Sequence, residues 1–188
     1  MSRWEPDAKG RLGQAAMELY VERGFEQTTV ADIAERAGLT ERTFFRHFVD
    51  KREVLFAGQD EFQGMFVRAI ESAPTGATPL ETIEVTLSAV AAFFEPSRSW
   101  SMQRAGVINS NPALLERELI KLANLKVSIA TTLRERGMEE PAASLTAETA
   151  VSVFHITFRD WTQEGNSRTF AELAQQSLAA LKLVTAGA

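Results

Sequence analysis

The sequence predicts an all-α protein in two parts: an N-terminal three-helix unit carrying a helix-turn-helix over residues 1–52, and a larger helical domain over residues 53–188. Three observations predict it. Apolar residues recur at i, i+3, i+4 and i+7 through most of the chain. No stretch alternates with period two for long enough to build a sheet. Capping residues and glycines flank the apolar runs, where helices start and stop.

The first helix spans about Asp7 to Arg23, with Leu12, Ala15, Ala16, Leu19 and Tyr20 on one face and Gly24 as its stop. The second runs from Thr29 to Ala37 and carries Val30, Ile33, Ala34 and Ala37 on one face. Thr29 is its N-cap and Asp32 completes a capping box. Gly38 can take the left-handed conformation that ends a helix. Thr40 caps a third helix, Glu41 to about Phe48. Two short helices joined by a three- to four-residue turn containing Gly form a helix-turn-helix.

A fourth helix is expected from Lys51 to about Glu71, with Asp50 and Glu53 forming its box, and residues 72–79 read as a loop. Thr78, Pro79 and Glu81 open a fifth helix that continues to about Phe94. A helix from about Arg98 to Ile108 follows. Asn111-Pro112 then opens a long helix bearing Leu115, Leu119, Leu122, Leu125, Ile129 and Leu133, ended by Gly137. Two more are expected at about 144–164 and 167–185.

The helix at 41–48 leaves an unusual outer face. At about 100° per residue, Phe44 and Phe48 lie together and turn toward the preceding helix, while Arg42 and Arg46 project away from it. Thr43 and Phe45 sit on the flanks, with Glu41 and His47 at the border. Two outward arginines suit the major groove of duplex DNA, where Arg grips guanine O6 and N7 with two hydrogen bonds. Flanking Thr, His and Lys side chains suit phosphate oxygens. The candidate contact residues are Thr29, Thr40, Glu41, Arg42, Thr43, Phe45, Arg46, His47 and Lys51. Arg3, ahead of the first helix, is a candidate for the minor groove, with a disordered tail as the equal alternative.

Thr29, Ile33, Ala34, Ala37, Gly38, Thr43, Phe44, Phe45, His47, Phe48 and Lys51 together resemble the pattern of the TetR family of bacterial transcriptional regulators, over about residues 8 to 56. The family usually carries Tyr where this chain has Phe45, so a hydroxyl-to-phosphate hydrogen bond is absent here. The resemblance implies a homodimeric, ligand-responsive repressor on a palindromic operator. Its recognition helices would enter successive major grooves about 34–36 Å apart. It also implies a small-molecule pocket among roughly helices four to eight, a dimer built as a four-helix bundle, and the fourth helix as the lever between sites.

Composition agrees with a globular chain that reads DNA locally. It has 188 residues, 45% hydrophobic and 24% charged. The net charge is −5, yet residues 1–52 hold nine Lys and Arg against nine Asp and Glu. The acidic excess, sixteen against eleven, therefore lies in the remainder. Exposed charges beyond about 10 Å are largely screened at ordinary salt, so local placement outweighs the total. No apolar run reaches the roughly 18 residues of a membrane helix. The opening MSRWEPDAKG has no apolar stretch of an export signal, and zero cysteines fit a reducing cytoplasm.

Catalysis finds little support, and neither a cofactor nor a metal site is expected. There is no cysteine nucleophile, Gly-rich phosphate loop or HExxH helix, and only two histidines. In the second domain, apolar residues are interspersed with polar ones, as in a small-molecule pocket. The candidate ligand contacts are Phe62, Phe66, Phe93, Trp100, Gln103, Arg104, Phe154 and Phe158. The last two helices carry broad apolar stripes that suggest self-association, through Val151, His155, Trp161, Phe170, Leu173, Leu178 and Leu181, with packing wholly within one subunit as the alternative. Two rivals stand beside this reading: a DNA-binding regulator controlled by a protein partner without a small-molecule effector, and a helical enzyme that inherited the fold.

Overall fold

The computed structural model describes residues 7–186, and among them there are helices and turns but no strand. Ten α-helices follow in order: α1 Ala8–Arg23, α2 Val30–Arg36, α3 Glu41–His47, α4 Glu53–Phe56, α5 Gln59–Ser72, α6 Pro79–Phe94, α7 Arg98–Asn109, α8 Pro112–Glu135, α9 Ala142–Trp161 and α10 Phe170–Thr185. A single 3₁₀ turn, Glu95–Ser97, joins α6 to α7. No described helix is long and apolar enough to cross a membrane. Arg3 lies outside the described residues.

Local chemistry sets most of these boundaries. Thr29 with Asp32, Thr78 with Glu81 and Thr169 with Glu172 each close a reciprocal capping box, which satisfies backbone donors that the first turn of a helix leaves free. Pro79 occupies the first turn of α6, where its missing N–H costs nothing.

The fourth helix differs from its expected form. Instead of one helix from 51 to 71, α4 ends at Phe56 and α5 starts at Gln59. Ala57 is extended, with ψ 138°, and Gly58 sits at φ 88°, a conformation open to glycine at little cost.

The chain divides into two compact units. The first runs to Gln59 and takes in Gln103–Glu116, so it extends past residue 52 and recruits a distant segment. Two polar clamps fasten that segment. Arg104 donates from Nε to the Leu55 carbonyl at 2.7 Å and lies over the Phe56 ring at 5.4 Å. Asn111 donates to the Glu26 carboxylate at 2.7 Å while its own side-chain oxygen caps the first turn of α8.

The second unit comprises Asp60–Met102 and the chain from Arg117 onward. Its core gathers Phe66 and Ile70 of α5, Leu87 and Val90 of α6, Leu125 and Ile129 of α8, Phe154 and Trp161 of α9, and Phe170 and Leu178 of α10. This corrects the expected dimer surface. Val151, Trp161, Phe170, Leu173 and Leu178 are all buried within one chain, and Leu181 packs against the same core. The apolar stripes of α9 and α10 are covered by α6 and by each other. Of the seven residues expected at the dimer surface, His155 alone is exposed.

Candidate functional site

The helix-turn-helix is built by three linked local structures. At the start of α2, the Asp32 amide donates to the Thr29 hydroxyl at 3.2 Å, and the Thr29 amide donates to the Asp32 carboxylate at 2.8 Å. Arg23 of α1 closes on the same carboxylate at 2.7 Å. The Thr29 hydroxyl first, then its backbone N–H, and then Arg23 hold the Asp32 carboxyl down to about 2.

At the end of α2 the chain turns through Gly38, at φ 65°. Gly38 N–H returns to the Glu35 carbonyl at 2.9 Å and Leu39 N–H to the Ala34 carbonyl at 2.8 Å, the paired bonds of a Schellman stop. Arg11 of α1 donates to the Ala37 carbonyl beside it. Thr40 then caps α3 by accepting the Thr43 amide at 3.2 Å, and the two hydroxyls meet at 3.0 Å.

The faces of α3 fall as the periodicity predicts. Phe44 is 0% and Phe48 5% exposed, with ring centroids 5.4 Å apart. Glu41, Arg42, Phe45 and Arg46 are exposed; Thr43 and His47 are half-buried. Among the described residues no carboxylate pairs with Arg42 or Arg46, so both guanidinium groups keep their donors for another partner. Phe45 is 56% exposed, with an edge-on contact to Phe44 at 5.5 Å. His47 buries its Nε2 without a hydrogen-bond partner among the described residues.

Lys51 departs from its expected phosphate role. Its ammonium donates to the carbonyls of Phe25 at 2.8 Å, Thr28 at 2.9 Å and Glu26 at 3.3 Å, and lies 4.4 Å from the centroid of the Phe25 ring. Three donors meet three acceptors, so the charge is spent on holding the loop between α1 and α2. The Tyr20 hydroxyl donates to the Lys51 carbonyl at 2.6 Å, and burial pushes that phenol well above its ordinary pKa. Arg11, Tyr20 and Lys51 thus brace the motif from outside it. Sequence reasoning missed all three bracing roles, because each depends on carbonyls in distant parts of the chain.

In the second unit, Phe62, Phe66, Phe154 and Phe158 do come together, joined through Phe94 to Trp161 and Phe170. Phe93 touches this cluster through Phe94 at 5.3 Å and is 43% exposed. Trp100 is half-buried and makes no ring contact with a described aromatic residue. Gln103 and Arg104 belong to the first unit, where Arg104 is fixed on Leu55 and Phe56. Surface clefts of the second unit lie elsewhere: one of about 370 Å³ between α6 and α10, and one of about 140 Å³ between α8 and α9 beside His155. Among the described residues no group of three His, Cys, Asp or Glu is placed to hold a metal ion.

Comparison with known proteins extends this picture. Residues 13–57 match the bacterial regulatory proteins of the tetR family. The HTH-type transcriptional regulator TcmR of Streptomyces glaucescens is 38% identical over 82 residues, which is 44% of this chain and 36% of that protein. The chain spans between 30% and 38% of the length of the first named relatives it matches. Over nearly the whole chain the fold is that of a putative TetR-family transcriptional regulator from Syntrophomonas wolfei, with TM-score 0.68 at 17% identity, covering 96% of this chain and 95% of that one. It is also that of the transcriptional regulator FadR from Bacillus subtilis in complex with stearoyl-CoA, with TM-score 0.65 at 20% identity, covering 95% and 99%. The match falls on the helix-turn-helix whose caps and braces are described above, and the likeness in fold continues through the second unit. Residues 13–57 thus resemble the helix-turn-helix segment of the tetR family of bacterial regulatory proteins, and the chain shares the fold of TetR-family regulators over nearly its whole length.

Proposed function

We propose that this chain is a DNA-binding transcriptional regulator, a homodimeric repressor that leaves a palindromic operator when a small apolar or amphipathic ligand occupies its second unit. One observation carries the DNA-binding part: Arg42 and Arg46 stand exposed and unpaired on the face of α3 opposite the buried Phe44 and Phe48. Arg42 and Arg46 are the base readers, with Thr43, Phe45 and His47 against sugar and phosphate. Thr29 and Thr40 fix the helix starts, and Lys51 holds the α1–α2 loop.

The apolar side of α9 that remains exposed supports a dimer surface. Leu145 is 62% and Ile156 44% exposed, and they share one stripe with Thr149 and Ser152, next to His155. A second copy packed on this stripe would bury apolar area that a single chain leaves in water. The aromatic cluster supports an apolar effector, and a regulator of the same fold carries stearoyl-CoA. The ligand acts only through its different affinities for the DNA-competent and DNA-incompetent states.

Selection of random duplex DNA on the purified protein at moderate salt tests the reading. An enriched inverted repeat is the expected outcome. No enrichment over the starting pool would sink it.

A further inference from the structure

Among the described residues, two buried donors in the second unit have no acceptor. Trp161 is 0% exposed, and its Nε1–H has no hydrogen-bond partner. Arg98, at the start of α7, has a buried Nε in the same condition. The two are neighbours: the Arg98 guanidinium carbon lies 5.8 Å from the Trp161 ring centroid. The rest of the guanidinium group turns to neutral carbonyls, those of Trp161 at 3.3 Å and Asn166. Among the described residues no carboxylate lies within ion-pair distance of Arg98, which leaves a half-buried positive charge without a counter-charge. Buried polar groups are ordinarily hydrogen-bonded and buried charges paired, because an unsatisfied donor forfeits its hydration with no return. Two such donors side by side point to an acceptor that arrives from outside.

The surroundings say what else that acceptor carries. Phe94 links the pair to an aromatic cluster, with centroids 6.1 Å from Trp161, 5.3 Å from Phe158 and 5.9 Å from Phe62. Phe62, Phe94 and Phe158 are partly buried at the margin of the core, unlike the fully buried Phe66 and Phe170. We propose that Arg98 and Trp161 form the head-group site for a fatty acyl ligand. One acyl oxygen accepts from Trp161 Nε1 and Arg98 Nε, and the hydrocarbon tail takes the place that Phe94 and Phe158 vacate. The proposal rests on the effector-responsive reading above and gives its ligand a chemical class and two anchoring residues. A cationic amphiphile is excluded from the same place by the Arg98 charge.

The acyl oxygen can belong to a free carboxylate or to a thioester, and three probes separate the cases. The full-length chain, labelled with ¹⁵N, is titrated with laurate below its micellar concentration, with lauroyl-CoA and with dodecylamine. The indole N–H resonance of Trp161 is identified by its absence in Trp161→Phe. We expect laurate or lauroyl-CoA to move that resonance in the wild-type chain, and dodecylamine to leave it in place. Laurate alone assigns a free acid and lauroyl-CoA alone a thioester; either supports the site. Arg98→Lys, which keeps the charge but loses the Nε–H, is expected to weaken the effective acyl probe by about tenfold, as for one lost hydrogen bond. The proposal is overturned if neither acyl probe moves the resonance, if dodecylamine moves it equally, or if Arg98→Lys binds as well as wild type. Selection of duplex DNA on the same preparation separates the two readings. An enriched operator with an unmoved indole resonance removes the acyl site and leaves the regulator standing.

Discussion

Lys51 lays its ammonium group 4.4 Å from the centroid of the Phe25 ring while donating to the Phe25 carbonyl at 2.8 Å. A lysine at the start of a helix ordinarily suggests an anion site, but this one faces inward onto the loop between α1 and α2. Lys51→Met would therefore act on stability before it acts on DNA. Losing charge-assisted hydrogen bonds and a cation–π contact should cost about 1–3 kcal/mol, reduced where water reaches the freed carbonyls. Urea unfolding measures this. The slope of log affinity against log salt should stay at the wild-type value; a fall of about one would assign Lys51 a phosphate after all.

Arg42 makes the opposite prediction. It is exposed and unpaired, so Arg42→Ala should leave stability within about 0.5 kcal/mol of wild type. Operator affinity should drop by about 1–3 kcal/mol, with base preference relaxed at one position. Competition binding against single-base operator variants reads both. A uniform loss on every variant would demote Arg42 from base reader to phosphate contact.

Phe45 is 56% exposed on the same face. Phe45→Tyr adds a hydroxyl at this exposed position and should tighten operator binding slightly, by up to about 1 kcal/mol. Unchanged affinity in titrations on the selected operator would show that the ring, and not a hydroxyl, is what DNA meets.

Acid should loosen the motif through Asp32. Its carboxyl is held at about 2 in the folded chain, against about 3.9 in an unfolded one. A depressed folded value stabilises at any pH above the unfolded value, and the stabilisation disappears as pH falls from about 4 through about 2. Glu81 and Glu172, lowered first by the backbone N–H groups of Thr78 and Thr169, add to the same loss. Asp32→Asn should therefore be less stable than wild type at neutral pH and show a flatter decline between pH 4 and 2. Denaturant midpoints across that range test it, and parallel curves for the two proteins would contradict the assignment.

What the sequence conveyed best was whatever is decided within four or five residues. The Thr29, Thr78 and Thr169 boxes, the Gly38 stop and the phase of Phe44 against Arg42 are all local, and the structure keeps each of them. What it obscured depends on distant partners. Gly58 sits inside an apolar pattern that continues on both sides, so the α4–α5 break does not show in the periodicity. A lysine at residue 51 reads as a free cation until the carbonyls of residues 25–28 are seen around it. An apolar stripe announces that a helix face is covered without saying by what. For α9 and α10 the cover comes largely from the same chain.

That last distinction separates two kinds of substitution on the closing helices. Leu173 is 3% exposed and packs in the core of one chain, so Leu173→Glu would bury an unpaired carboxylate. It should cost more than about 3 kcal/mol and lower the melting temperature steeply, whatever the oligomeric state. Ile156 is 44% exposed on the outward stripe of α9, where a charge meets water in the single chain. Ile156→Glu should keep the far-ultraviolet spectrum of the fold while a second copy, brought face to face, would meet a like charge across the symmetry axis. If the unmodified chain dimerises through this stripe as proposed, sedimentation velocity should show Ile156→Glu as a monomer at concentrations where the unmodified chain sediments as a dimer. If Ile156→Glu sediments as a dimer, the subunits meet through some other surface than the Leu145–Ile156 stripe.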